Sequence, residues 1–133
     1  MAIQYSTTHR TNAMTQLATD IGVNAQIIIY TGTPPANVGT APTGTLIVQF
    51  AGNATQFGTA SGGVLTASAV ASANASGAGT LTAGYFRINT SGAAAVVQGT
   101  CGTSGADMIL TNTSIANGQS CNFTSLTVTG FGA

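Results

Sequence analysis

The stretch Thr82-Ala-Gly-Tyr-Phe-Arg-Ile-Asn89 is the clearest strand in this sequence of 133 residues. Its aromatic and β-branched side chains favour a pleated, largely buried surface. The segment that follows, Asn89-Thr-Ser-Gly92, has the composition of a turn. The next apolar run, from Ala93 to Gln98, predicts that the two strands form a hairpin. The sequence therefore predicts a core built on a β-sheet.

Further strands are predicted on both sides of this hairpin. Ala25-Gln-Ile-Ile-Ile-Tyr30 is a continuous β-branched run, which is typical of a buried strand. The other predicted strands are Gly44–Phe50, one from Gly63 that ends either at Thr66 or at Ala71, Asp107–Thr111 and Gln119–Thr129, the last following a turn at Asn117-Gly118. Eight or nine short strands with Gly- and Thr-rich connections indicate an all-β fold, an antiparallel β-sandwich of which a jelly roll is one form.

Alternation within Gln119–Thr129 assigns its side chains to two faces. With a period of two residues, Cys121 and Phe123 fall on one face, whereas Leu126 and Val128 fall on the other. This pattern predicts that Phe123 and Leu126 point in opposite directions.

One short helix is predicted near the N-terminus, from about Thr8 to Ile21. Four apolar residues recur at helical spacing and so share one face, namely Met14, Leu17, Ala18 and Ile21. Gly22 follows as a terminator, and four residues qualify as the N-cap, namely Ser6, Thr7, Thr8 and Thr11. By length, residues 1–133 form one domain, with the arm and helix in 1–24 and the strands in 25–133.

Charged side chains are nearly absent, and this limits the classes of function. They are Arg10, Asp20, Arg87 and Asp107, or 3% of the residues, against about 25% in a typical soluble domain. The formal net charge is zero, and proteins near zero net charge tend to associate. We therefore expect a subunit of an assembly. Two arginines against two aspartates form no basic surface, so nucleic acid and membrane are not predicted partners.

The sequence offers few groups for catalysis or for metal binding. General acid–base chemistry needs titratable groups in pairs. The sequence has one histidine, His9, and its two aspartates, Asp20 and Asp107, are distant from it in sequence. No G-x-S-x-G motif is present, and the glycine-rich segment Gly58–Gly63 lacks the lysine of a phosphate-binding loop. We therefore predict no enzymatic activity, no catalytic or metal-binding residue and no cofactor.

The two cysteines, Cys101 and Cys121, leave two states open. The N-terminus has no apolar core of a signal peptide, which predicts synthesis in the cytoplasm and favours free thiols. The two residues lie on separate predicted segments, so one disulfide remains an alternative.

Six residues are candidate interface residues. The arm from Met1 to Tyr5 and the loop containing Pro34 and Pro35 are the expected contact elements. Alternation places Arg87 outward, either as an ordinary surface residue or as a contact between subunits, since Arg is enriched at interface hot spots. Arg10 has the same two interpretations. Asp107 is expected either to cap a loop at the start of a strand or to pair with Arg87.

Several short motifs, in this order, resemble small virion structural proteins of tailed bacteriophages, of the capsid decoration or cement type. The motifs are Arg10-Thr-Asn-Ala-Met14, Ile29-Tyr-Thr-Gly-Thr-Pro-Pro-Ala36, Gly44-Thr-Leu-Ile47, Ala83-Gly-Tyr-Phe-Arg-Ile88, Gly105-Ala-Asp-Met-Ile-Leu110 and Thr113-Ser-Ile-Ala-Asn-Gly-Gln119. The resemblance implies a β-rich fold, no enzymatic activity, a place in the virion and binding to the major capsid protein or other virion proteins.

Two alternatives to a decoration protein stay open at this point. One is a tail, neck or baseplate subunit, and the other is a carbohydrate-binding β-sandwich on a host-recognition fibre. In each case synthesis is expected in the host cytoplasm. A homo-oligomer is expected, because closed symmetry is the rule among soluble assemblies, and a trimer would suit a site on a capsid.

Overall fold

The structure is a computed structural model and describes residues 2–68 and 70–132. The described residues form one helix, α1 (Thr7–Ile21), and ten strands: β1 (Gln26–Thr31), β2 (Leu46–Ala51), β3 (Val64–Thr66), β4 (Ala73–Asn74), β5 (Thr80–Asn89), β6 (Ala95–Gly102), β7 (Met108–Leu110), β8 (Ser114–Ala116), β9 (Ser120–Cys121) and β10 (Phe123–Thr129). The prediction of an antiparallel, sandwich-like all-β fold with one N-terminal helix is confirmed.

The main sheet has the strand order β2-β1-β5-β6-β7-β10-β3, and β8 pairs with one end of β5. Strands β4 and β9 form a separate two-stranded sheet. Every pairing is antiparallel except that of β6 with β7, which is parallel. Strand β5 crosses the middle of the sheet, so the segment that the sequence marked as the clearest strand is central.

Both faces of the β1–β5 pair are buried, which explains the continuous apolar run in β1. On the inner face, Ile27 pairs with Ile88 and Ile29 pairs with Phe86, and these side chains belong to the main hydrophobic core. Because side chains alternate across a strand, Ile28, Tyr30 and Tyr85 point to the outer face. There they form a second buried cluster against Leu46.

Helix α1 packs its apolar face on the core. Met14 and Ile21 are buried, and Leu17 and Ala18 pack beside them. The Ser6 hydroxyl caps the first turn by accepting from the His9 N–H at 3.2 Å. At the other end the Gly22 N–H donates to the Ala18 carbonyl at 3.1 Å, with φ at 75°, a conformation that favours glycine.

Strand β10 corrects one prediction. Phe123 and Leu126 are both buried in the same core, so the prediction that they point in opposite directions is wrong. The register of β10 on β7 shifts between Phe123 and Ser125. An extra residue at such a bulge turns the following side chains to the other face, and regular alternation in the sequence does not reveal it.

Three other segments differ from the predicted strands. Strands β4 and β8 were not among the predicted strands. Strand β6 continues to Gly102, beyond the predicted end at Gln98. These pieces are short or rich in small residues, so their pairing depends on neighbouring strands and not on local preference.

Candidate interaction surface

The N-terminal arm and the C-terminal tail form an exposed apolar surface, which we call the terminal patch (Ile3, Tyr5, His9 and Phe131). The Tyr5 N–H donates to the Gly132 carbonyl at 2.9 Å, which holds the arm beside the tail. The Tyr5 ring stacks on His9 with centroids 5.1 Å apart and meets Phe131 edge to face at 5.2 Å. Ile3 is 74% exposed and Phe131 is 59% exposed, so apolar groups remain in water here.

The structure describes residues 2–5 of the predicted contact arm. Tyr5 lies in the terminal patch, and residues 2–5 are all exposed. Met1 lies outside the described residues. Sequence reasoning did not single out Phe131; the signal was present as a lone aromatic residue between Gly130 and Gly132, just beyond the last strand.

The loop between β1 and β2, residues 32–45, lies over the outer face of the sheet. The Gln98 amide nitrogen donates to the Pro35 carbonyl at 2.8 Å. Arg87 donates through Nε to Gln98 Oε1 at 3.2 Å and through Nη2 to the Thr40 carbonyl. Pro34 and Pro35 are themselves half-buried. The loop is therefore fastened to β5 and β6 by two polar side chains.

Arg87 is 3% exposed, so the expectation that it is a surface or intersubunit residue is wrong. Alternation did place it on the outer face, opposite Ile28 of β1. The loop containing Pro35 and Thr40 covers that face and accepts its hydrogen bonds. Whether a loop lies on a sheet depends on the tertiary fold, which strand periodicity does not report.

Two tyrosines are stacked beneath the same loop-covered layer. The rings of Tyr30 and Tyr85 are 5.2 Å apart and inclined by 17°. Burial raises the pKa of Tyr30. Electrostatic interaction with Tyr85 also raises this pKa, whereas the positive charge of Arg87 lowers it. The Tyr85 side chain is fully buried, and its hydroxyl finds no hydrogen-bond partner among the described residues. These two rings are therefore packing groups of the outer face.

The Arg10 side chain is half-buried. An added Cβ at Gly63 would lie 2.9 Å from Arg10 Nη1, and one at Gly130 would lie 3.3 Å from Arg10 Cβ. Because Gly63 and Gly130 lack a Cβ, the aliphatic part of the Arg10 side chain has room to pack against them. Its Nη2 donates to the Thr7 hydroxyl at 3.4 Å. Arg10 thus packs beside the helix start, and its role in an interface stays a prediction.

Asp107 caps the loop before β7. Its Oδ2 accepts from the Thr100 N–H at 3.1 Å and from the Thr100 hydroxyl at 3.3 Å. Arg87 directs its hydrogen bonds to Thr40 and Gln98 instead. Of the two interpretations of Asp107, the structure supports the loop cap.

The clefts on the surface of the described residues include one beside β6 and one beside α1. A cleft of about 150 Å³ separates β6 from β10; the residues lining it are Phe86, Val97, Gln98, Gly99, Asp107, Thr127, Val128 and Thr129. A wider and shallower one of about 410 Å³ lies between α1 and the loop after β2; its lining residues are Thr15, Ala18, Thr19, Gly22, Val23, Ala54, Phe57, Gly58 and Thr59. Asp107 is the single charged residue among both linings, so both clefts suit uncharged groups.

Both cysteines are free thiols in the structure. Burial raises the pKa of Cys101 from 9.0 to about 12, with a smaller contribution from the charge of Asp107. Burial also raises the pKa of Cys121, against a hydrogen bond from the Ala75 backbone that lowers it. Since the thiolate is the reactive form, neither group is arranged as a nucleophile.

We expect Cys101 to react slowly with iodoacetamide in the folded protein. At pH 8, a rise in pKa from 9.0 to about 12 lowers the thiolate fraction about a thousandfold, since each unit is a factor of ten. Peptide mapping of the alkylated protein, with and without denaturant, measures the ratio of rates. Equal rates in the two conditions would contradict the burial of this thiol.

Within residues 2–68 and 70–132, no three His, Cys, Asp or Glu side chains group as metal ligands would. No helix in the same residues has the length and apolar character needed to span a bilayer. No protein-family model, curated protein or solved structure matches the chain.

Proposed function

We propose that this chain is a non-enzymatic structural subunit of a virus particle, of the capsid decoration type, which stabilises the particle by burying its surface between capsid subunits. The terminal patch is the observation that carries the proposal. It presents Ile3, Tyr5 and Phe131 to solvent on a protein with only four charged side chains. Removing apolar surface from water contributes about 25 cal/mol per Å², so such a surface favours contact with a protein partner.

Burial of Arg87 strengthens this argument. One of the four charges lies beneath the loop, which leaves even fewer ions on the surface than the composition suggests. A surface poor in ions offers little electrostatic repulsion between copies. Contacts would therefore rest on apolar groups and on uncharged Thr, Ser and Asn hydrogen bonds.

The structure weakens the carbohydrate-binding alternative. A sugar-binding platform presents exposed aromatic rings, but Tyr30 and Tyr85 are buried in the outer-face cluster. Tyr5 and Phe131 remain, and they meet edge to face within the terminal patch. Binding of the isolated protein to a glycan array would restore this alternative.

The copy number in the parent particle tests the proposal directly. Quantitative mass spectrometry of purified particles should find on the order of hundreds of copies, as expected for a shell built by repeated symmetry. About six or twelve copies would instead indicate a ring in a tail, neck or baseplate. Absence from the particle would contradict every virion role.

We expect the affinity of the purified protein for particles stripped of it to depend little on salt. Few charges are available to cross the interface, and salt screens only charges. Between about 0.05 M and about 0.5 M NaCl, the dissociation constant should change less than about threefold. Co-sedimentation with the particles measures it, with a lysine-rich protein of similar size as the salt-sensitive control. A tenfold loss at high salt would contradict a contact of this kind.

A further inference from the structure

The cleft between β6 and β10 is a gap in the main sheet. Strand β7 separates these two strands only over Met108–Leu110, and it pairs with β6 only at Cys101 and Gly102. From Ala95 to Thr100, no strand among the described residues pairs with that edge of β6. The pairing of β10 with β7 likewise ends at Leu126. The two strands continue beyond β7 with facing edges that lack a strand between them.

Backbone hydrogen-bonding groups point into this gap from both sides. The Thr100 N–H donates to the Asp107 side chain, so it faces the gap. Backbone groups alternate in direction along a strand, so the N–H and C=O of Gln98 face it too. On β10 the Thr127 N–H donates to the Asp107 carbonyl at 3.1 Å, while the Gly130 N–H turns to Gly63. By the same alternation, the N–H and C=O of Thr129 face the gap.

The lining of the cleft is mixed. Phe86, Val97 and Val128 contribute apolar groups, and Gln98, Asp107, Thr127 and Thr129 contribute polar ones. An added Cβ at Gly99 would lie 2.8 Å from the Phe86 ring and 2.8 Å from Asp107 Oδ2. The absence of a side chain at Gly99 therefore leaves room for the ring and the carboxylate. The oxygen of Asp107 already accepts two hydrogen bonds from Thr100. An uncharged, extended peptide fits these walls, because strand edges are recognised by backbone hydrogen bonds.

The chain itself supplies a segment of this kind. Residues 2–4 are uncharged, exposed and outside any helix or strand, and Ile3 is the most exposed large apolar residue of the described chain. The bond from Tyr5 to Gly132 holds the arm beside its own tail, and residues 2–4 are not among the residues that line the cleft of their own chain.

The arm and the cleft lie at the same end of the molecule. Thr129 lines the cleft, and three residues later Gly132 contacts Tyr5, a chain distance of at most about 11 Å. When two copies meet through these ends, each arm comes close to the cleft of the other. Such an exchange is self-complementary and closes without leaving a free site.

We propose that the β6–β10 cleft binds residues 2–4 of a second copy as an added strand, so that the protein forms a homo-oligomer by exchange of its arms. Ile3 contacts Val97 and Val128, and the arm backbone pairs with Gln98 of β6 and Thr129 of β10. This inference goes beyond the proposed function, because it concerns how copies join each other and holds with or without a shell.

Sedimentation velocity on the full chain over a range of concentrations tests the proposal. We expect Ile3→Asp to raise the dissociation constant of the oligomer at least about tenfold, because a carboxylate would replace the apolar contact and would lie near the carboxylate of Asp107. Val23→Asp is the matched control, since Val23 is 56% exposed at the far end of the helix; it should change the constant less than about twofold. A monomeric wild-type protein at about 1 mM, or an Ile3→Asp protein that associates like wild type, would overturn the proposal.

A cross-link between two different chains locates the contact. A chain with Ile3→Cys is mixed with an isotope-labelled chain with Thr129→Cys and oxidised. We expect the mixed disulfide to exceed either homodimer severalfold. Both chains also carry Cys101→Ser and Cys121→Ser, because both native cysteines are free thiols and could otherwise compete. A random mixture of products, or a dominant link between two Ile3→Cys chains, would overturn the assignment of the arm to this cleft.

Discussion

Replacing Gly84 with alanine should destabilise the protein more than any other single-methyl change considered for this chain. Gly84 lies in the middle of β5. An added Cβ there would overlap the carbonyl oxygen of Gly32 and lie 2.7 Å from its amide nitrogen. Both are backbone atoms, so no side chain can rotate away. We expect a loss of about 3–5 kcal/mol in the free energy of unfolding, a large part of the 5–15 kcal/mol typical of a domain.

The close approach has an identifiable cause. The register of β1 on β5 shifts between Tyr30 and Thr31, and the chain then turns at Gly32 with φ at 81°. The shift brings the Gly32 backbone directly over Gly84. A strand glycine commonly marks such an approach of another backbone.

Gly58→Ala is the matched control for Gly84→Ala. An added Cβ at Gly58 meets nothing within 4 Å, and the backbone there is compatible with alanine. We expect a change of less than about 0.5 kcal/mol, because alanine also restricts the unfolded chain slightly. Urea denaturation of the two variants and the wild type measures the difference. A Gly84→Ala protein within about 1 kcal/mol of wild type would contradict the contact with Gly32.

The second large effect is expected from Arg87→Ala. This change removes the hydrogen bonds to Gln98 and to the Thr40 carbonyl and leaves a space beneath the loop. A hydrogen bond to a charged group contributes about 1.5–3 kcal/mol, and a cavity adds to the loss. We expect the free energy of unfolding to fall by about 3 kcal/mol in total. The loop 32–45 should also come away from the sheet.

Thermolysin separates loop release from global unfolding. In native conditions, cleavage near Val38 in the loop should accelerate at least about tenfold in Arg87→Ala, because local opening exposes this segment. Arg87→Lys keeps the charge, but a single ammonium cannot reproduce the two diverging donors of a guanidinium, so an intermediate rate is expected. Unchanged loop cleavage in Arg87→Ala would show that the loop is held by other contacts.

Local sequence signals located the helix and most strands well. Strand β1 and the core part of β5 were predicted within one or two residues, because their β-branched and aromatic residues form long, continuous patterns. The helix was placed within one residue, because four apolar residues at helical spacing define its buried face. The bulge in β10 and the short strand β8 escaped prediction, since each depends on the pairing partner.

The candidate surfaces were harder to predict from the sequence than the helix and strands. The arm at Tyr5 was predicted to be a contact element, and the structure shows only that the Tyr5 side chain is exposed. The sequence did not indicate the cleft between β6 and β10. Its lining residues on the two strands are at least 28 residues apart (Gly99 to Thr127), and the cleft depends on the shortness of β7. The interface role of every candidate residue except Arg87, which is buried, stays a prediction.

The sequence by itself determined that this is a β-rich chain with one helix and almost no ionic surface, because composition and short periodic patterns act locally. Only the tertiary structure decided what happens on the outer face of the sheet. There the loop 32–45 covers Arg87 and the stacked tyrosines. It also decided where the sheet stays open, between β6 and β10. The physical reason is that hydrogen bonds and burial depend on which distant segments meet, and the local pattern of a strand carries no record of its neighbours.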